Sequence, residues 1–208
     1  METISGVQIN PEEVKTQLGY INLETKVIAG FFKSINEQYL KGTEKEWNTT
    51  TAEKYINGLT ALLNDFVKQY NPKFEAALKD FVKGVNTLCA TQEISGVPEP
   101  EFTAIEELDK GWTSPSTGPY NIPFDFASFT ETTLNPKVEE INTSVSNMER
   151  YINVAVKNGL GDSFCTNIRS GIQSLKKTAE EVLNSYGKEA AAAAVASDNT
   201  IQTLRQNT

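Results

Sequence analysis

Glu46-Trp47-Asn48-Thr49-Thr50-Thr51-Ala52-Glu53-Lys54-Tyr55 separates two long runs of helical periodicity and holds one of the chain's two tryptophans. Before it, Val14, Leu18, Ile21, Thr25, Ile28, Phe32, Ile35 and Tyr39 recur in steps of four and three, the apolar stripe of one long helix with a polar lapse at Thr25. Asn10-Pro11-Glu12-Glu13 starts that helix: asparagine can cap, proline suits the first helical position, and Glu13 completes a capping-box-like pattern. Gly42 is its expected stop. After the stretch, Ala52, Ile56, Leu59, Leu63, Phe66, Tyr70, Phe74, Leu78, Phe81, Val85 and Leu88 form a second stripe. Pro72 removes one backbone donor within it. The stripe stays nearly in phase across the proline, which predicts one kinked helix in preference to two. Two such helices joined by a short corner lie antiparallel and cover each other's stripes, so residues 1–93 form a helical hairpin with its corner at Trp47.

Residues 94–129 change character. Five of the eight prolines fall there, and no helical or alternating period persists. Phe102, Trp112, Tyr120, Phe124, Phe126 and Phe129 give the segment too much aromatic content for a disordered linker. Two readings stand: an ordered strap packed onto the helices, or a partner-binding surface with Trp112, Tyr120, Phe124 and Phe126 as contacts. Asn135-Pro136 then repeats the earlier start signal, followed by the stripe Leu134, Val138, Ile141, Val145, Met148, Ile152 and Ala155. Asn158-Gly159-Leu160-Gly161 breaks it. Asp162 or Ser163 can cap a last helix with the stripe Cys165, Ile168, Ile172, Leu175, Ala179, Val182 and Tyr186. The alanine run 189–196 favours helix, and 197–208 is a polar tail expected to fray. Residues 130–196 are therefore a second, degenerate hairpin. The expected fold is all-α: two tandem long hairpins joined by a Pro/aromatic-rich strap and packed as an elongated four-helix bundle.

Composition excludes more chemistry than it suggests. Net charge is −8 without a basic cluster, which argues against nucleic acid and anionic lipid as partners. Histidine is absent, removing the commonest general base and metal ligand. Cys89 and Cys165 belong to no C-x-x-C pattern; both lie in helical apolar patterns, as buried thiols or, if their helices are neighbours, as a disulfide. No nucleophile elbow, phosphate-binding loop or zinc-protease motif is present. Glutamate pairs such as Glu12-Glu13 and Glu139-Glu140 fall at helix starts and polar faces, where they act on the helix dipole or solvent. No enzymatic activity, cofactor or small-molecule substrate is expected. No stretch is apolar enough to span a membrane, and the start lacks a signal-peptide pattern, so any export is expected to occur without a cleaved signal peptide.

The pattern around Trp47 resembles the WXG100 (ESAT-6-like) family of helical-hairpin proteins exported by type VII secretion systems. Its shared features are a long helix, a tryptophan at the corner (Trp47), a small residue two positions on (Thr49, usually glycine in the family), then an alanine (Ala52), an aromatic (Tyr55) and a second long helix. The likeness covers about residues 10–93 and, weakly, 130–195, with Gly159-Leu160-Gly161 at the second corner. The family's tail signal, Tyr-x-x-x-Asp/Glu, is incomplete: Ala190 lies four positions after Tyr186, and Glu189 three. The resemblance implies a tandem, single-chain version of what the family forms as a dimer, with recognition through Trp47, Thr49, Ala52 and Tyr55. It also implies protein partners: a type VII ATPase, a co-secreted helical protein or a second copy, with the chain cytoplasmic before export and secreted after it. The competing function is a structural or assembly protein, a virion or surface component that uses the bundle as a packing unit.

Overall fold

The structure, a computed structural model, describes residues 9–46, 50–108, 128, 130–157 and 165–206. Among these the chain is all-α, without strands. Helix α1 spans Pro11–Glu46 and α2 Thr50–Thr91; α3 covers Asn135–Lys157, α4 Thr166–Glu181 and α5 Glu189–Gln206. A π-helical turn, Thr130–Leu134, leads into α3, and a second π-helical segment, Val182–Lys188, joins α4 to α5.

Asn10 caps α1 as its sequence predicts: Glu13 N–H donates to its Oδ1 at 3.2 Å, and Val14 N–H to its carbonyl at 3.1 Å. The polar lapse at Thr25 is resolved locally, because its hydroxyl donates to the Asn22 carbonyl at 2.7 Å. Gly42 is not the stop; α1 continues to Glu46. A single helical glycine costs only about 1 kcal/mol, and good helix formers such as Lys41, Glu44, Lys45 and Glu46 flank it. Helix α2 runs unbroken through Pro72, so the one-helix expectation holds.

The second half departs from its expected boundaries. Asn135-Pro136 is not the first turn, because the π-helical turn precedes it and buries Thr130 and Leu134. The last stripe also slips. Its buried positions run Cys165, Ile168, Ile172, Leu175, Ala179, Val182, then Gly187, Ala190 and Ala194. The step of five from Val182 to Gly187 falls in the π-helical segment, whose extra residue rotates the face, so Tyr186 leaves the stripe and is half-buried. The expected polar tail is helical as far as Gln206. Once the alanine run has nucleated the helix, each added residue costs little.

The chain divides into two compact units, and the division cuts across the helices. The first comprises residues 1–29, 69–105 and 142–175; the second comprises 30–68, 106–141 and 176–208. Each draws on both hairpins. In the first unit the buried residues include Val14, Ile21 and Ile28 of α1; Phe74, Phe81 and Val85 of α2; Met148 and Ile152 of α3; and Ile168 and Ile172 of α4. Side-chain hydrogen bonds join α3 to α4 there, Arg169 to Asn153 at 2.8 Å and Gln173 to Glu149, and one joins α3 to α1, Asn147 to Glu24 at 2.9 Å. In the second unit, Phe32 of α1 stacks on Phe66 of α2 with centroids 5.7 Å apart, and Phe31, Ile56, Leu63, Val138 and Ile141 are buried.

Glycines set the closest approaches. A Cβ at Gly171 would stand 2.5 Å from Phe74 Cδ2, and one at Gly187 would stand 3.1 Å from both Leu134 Cδ1 and Thr130 Cγ2. At Gly19 a Cβ would meet nothing within 4 Å. The two substitutions therefore have opposite expected signs. Gly171→Ala destabilises by about 1–3 kcal/mol through overpacking. Gly19→Ala, at an exposed helical position, stabilises by up to about 1 kcal/mol. Urea unfolding of the two variants checks both.

Candidate interaction surface

Residues 94–108 leave α2 and run back along it as an extended strap. Helix α2 ends in a Schellman turn: Ile94 N–H donates to the Cys89 carbonyl at 3.1 Å and Glu93 N–H to Ala90 at 3.3 Å. Glu93 takes the left-handed conformation, φ 55°, that this turn requires and glycine usually fills.

Asparagines on the helices hold the strap. Asn86 donates from Nδ2 to the Val97 carbonyl at 2.9 Å and accepts the Val97 N–H at Oδ1, 2.6 Å. Asn71 does the same for Ile105, at 2.8 and 3.1 Å. Asn64 repeats the pairing in the second unit with Leu108, at 3.3 and 2.7 Å. In each case the side-chain amide stands in for a neighbouring peptide group. The rise from Asn86 to Asn71 is about 22 Å at 1.5 Å per residue. Val97 to Ile105 can span at most about 26–29 Å fully extended, so the segment has little slack.

Apolar anchors and charge complete the attachment. Val97 and Ile105 are buried, and Phe102 packs its ring 5.9 Å from Phe74 and 6.4 Å from Tyr70. Asn22 of α1 donates to Glu101 at 3.1 Å and accepts from the Thr103 hydroxyl at 3.2 Å. Residues 94–108 carry four glutamates and no lysine or arginine. Residues 97–101 border two grooves whose linings include lysines. A groove of about 530 Å³ on the α1 side is lined by Lys15 and Lys26, and one of about 570 Å³ on the α2 side by Lys79 and Lys83. Glu75, hydrogen-bonded to Lys79, and more weakly Glu99 raise that ammonium's pKa above its ordinary value. In the second unit Lys68 meets Glu107 at 3.6 Å.

A second surface lies on the outer side of α1. Tyr20, Leu23 and Val27 are 44%, 55% and 49% exposed, at helical spacing beside the open Gly19. The Tyr20 ring packs 5.2 Å from Tyr151, over which the Arg150 guanidinium sits at 5.1 Å. This ridge belongs to the first unit and borders the Lys15/Lys26 groove.

Of the residues expected to carry recognition, Trp47, Thr49, Trp112, Tyr120, Phe124 and Phe126 lie outside the described residues, and of Ala52 only its place in α2 is described. Tyr55 is half-buried: its hydroxyl donates to the Glu189 carbonyl at 3.4 Å, and its ring meets Tyr186 edge-on at 6.5 Å. Burial, with help from Glu181 and Glu189, pushes the Tyr186 phenol above its ordinary pKa. Cys89 and Cys165 are buried and not joined in a disulfide; burial raises the Cys89 thiol's pKa. Among the described residues no cluster of cysteines and carboxylates suits a metal ion, and no helix is long and apolar enough to cross a membrane. Compared with protein-family models, curated proteins and solved structures, the chain matches none.

The asparagine pairs were missed from sequence, yet they carried a signal. Asparagine is a poor residue for a helix interior, and Asn64, Asn71 and Asn86 share one face of α2. Replacing Asn71 or Asn86 with alanine removes two hydrogen bonds and leaves a partly buried peptide group unpaired, so each costs about 1–3 kcal/mol. Amide exchange is the direct readout: Asn71→Ala exposes the Ile105 N–H and Asn86→Ala the Val97 N–H, with protection in α3 retained.

Tyr70 gives the strap's platform a pH dependence. Burial pushes its phenol well above the ordinary value of 10.0. Above that value the unfolded chain releases a proton that the folded chain keeps. Stability should thus be flat below pH 10 and fall by at most about 1.4 kcal/mol per unit above it from this group. Tyr70→Phe removes that share of the alkaline loss, measured as urea midpoints between pH 9 and 11.

Proposed function

We propose that the protein is non-enzymatic and works by protein–protein contact, as a WXG100-like substrate, effector or partner of a type VII secretion system. The observation that carries the contact-based reading is the ridge Tyr20, Leu23 and Val27. Large apolar side chains exposed in a row on a long helix are best explained by a partner that covers them. The secretion assignment rests on the resemblance at Trp47, Thr49, Ala52 and Tyr55, and on the two-hairpin pattern of apolar stripes. In this reading the partner is a co-secreted helical protein that lays its own stripe on α1, or the ATPase that reads the corner. The alternative, an assembly component of a virion or surface layer, draws on the same ridge as a packing contact.

The two readings part in the native source. Full-length protein should appear in the culture medium and vanish from it when the type VII ATPase is deleted. Trp47→Ala should lower the exported amount at least tenfold with the circular dichroism spectrum unchanged. Export that is indifferent to the ATPase, or recovery of the protein only from purified particles, sinks the secretion reading.

A further inference from the structure

The strap is bound as a peptide ligand would be. Two features of its attachment are indifferent to its side chains: the paired N–H and carbonyl of Val97 on Asn86, and those of Ile105 on Asn71. Three features are selective. The face takes branched aliphatic residues at Val97 and Ile105, a ring at Phe102 against Tyr70 and Phe74, and glutamates at 99 and 101, beside grooves lined by Lys15 and Lys26 on one side and by Lys79, Asp80 and Lys83 on the other. In a chain of net charge −8, Lys26 and Lys83 are the lysines of these grooves that, among the described residues, form no ion pair on their own helix, and they favour the acidic residues of the strap beside them. The segment that meets every one of these requirements is the strap itself.

The junction that returns the strap to its own helix is the costly part of this arrangement. It depends on Glu93 in the left-handed region and on the Ile94 N–H reaching Cys89. Non-glycine residues hold that conformation under strain. A strap that leaves α2 without reversing would release Glu93 together with the two hydrogen bonds of its turn and keep the strap's own contacts with the receiving face, provided that another copy supplied that face.

We propose that the strap-binding face of one copy accepts the strap of a second copy, so that two chains exchange straps and form a reciprocally linked dimer. The exchanged dimer keeps the strap's asparagine pairings, its apolar anchors and the Lys68–Glu107 pair, and gives up the hydrogen bonds of the turn at Glu93. Its population is set by concentration and by the relief of Glu93. This goes beyond the secretion reading and does not depend on it.

The experiment uses full-length protein in light and nitrogen-15 forms. Equal amounts are mixed at high concentration, warmed below the unfolding midpoint, cooled and separated by size. The dimer is then treated with a carbodiimide, which joins Lys68 to Glu107 across their 3.6 Å ion pair. Exchange predicts that about half of the linked Lys68–Glu107 peptides from the dimer combine a light and a heavy partner, the proportion given by random pairing of two labels. Ile94→Pro removes the N–H that closes the turn and drives Glu93 out of the helical regions, so it should raise the dimer fraction at least tenfold. Glu93→Gly relaxes the turn and should lower that fraction about fivefold. A dimer whose linked peptides all carry one isotope would be joined by surface docking and would overturn the proposal. So would the absence of dimer in both wild type and a still-helical Ile94→Pro variant.

Discussion

A helix has no main-chain hydrogen bonds to spare along its length, because its interior N–H and carbonyl groups are spent on one another. An extended segment laid on a helix must therefore satisfy its own peptide groups through side chains or water. This constraint governs residues 94–108. Their buried ends, Val97 and Ile105, fall where α2 presents an asparagine, and each asparagine supplies one donor and one acceptor to a single residue. An alanine at either position would be a better helix former. It would leave a peptide group near the core without a partner, and that penalty exceeds the difference in helix propensity. The strap is thus held by geometry that the helix-forming pattern alone would disfavour.

The same logic of local cost and tertiary gain applies to the second hairpin. Gly171 and Gly187 are both poor helix residues, and at each the missing side chain is occupied by a neighbour: Phe74 in the first unit, Thr130 and Leu134 in the second. The π-helical segment at Val182–Lys188 works with Gly187. Without its extra residue, the stripe would continue in steps of four and three to Tyr186, as periodicity suggests, and a bulky phenol would face the turn at Thr130–Leu134. The insertion moves Tyr186 aside to Gly58, which has room for the ring because it lacks a Cβ. Two glycines fit aromatic rings, Gly171 for Phe74 and Gly58 for Tyr186, and Gly187 with the extra residue admits Thr130 and Leu134, at positions that helix propensity does not predict.

What could be read in the sequence follows from this division. Long apolar stripes, Asn10 as a cap and the passage of α2 through Pro72 were legible, because each depends on contacts within a few residues or on a period repeated many times. The stripe of α1 is buried at Val14, Leu18, Ile21, Ile28, Phe32 and Ile35, as its spacing requires. Features that depend on a distant partner were not legible. The slip after Val182 and the turn at Glu93 each have their local cost offset elsewhere in the fold. The attachment of the strap was the least accessible of all. Aromatic content drew attention to residues 94–129, whereas in the described part of that segment the paired bonds are made to plain backbone by Asn64, Asn71 and Asn86, residues with no apolar periodicity.

The charge distribution gives this arrangement its direction. Exposed ion pairs contribute little to stability, and the 3.6 Å pair between Lys68 and Glu107 is half-exposed on both sides. Of the lysines flanking the strap, Lys15 and Lys79 pair along their own helices with Glu12 and Glu75. Lys26 and Lys83 are left to the grooves beside the strap, where they suit Glu99 and Glu101, whereas the asparagines accept any backbone equally. Main-chain pairing supplies affinity without specificity, and the lysines, together with the sites that take Val97, Phe102 and Ile105, supply the discrimination. A surface built in this way divides the two tasks between residues, and the extended acidic segment that it holds in this structure is residues 94–108.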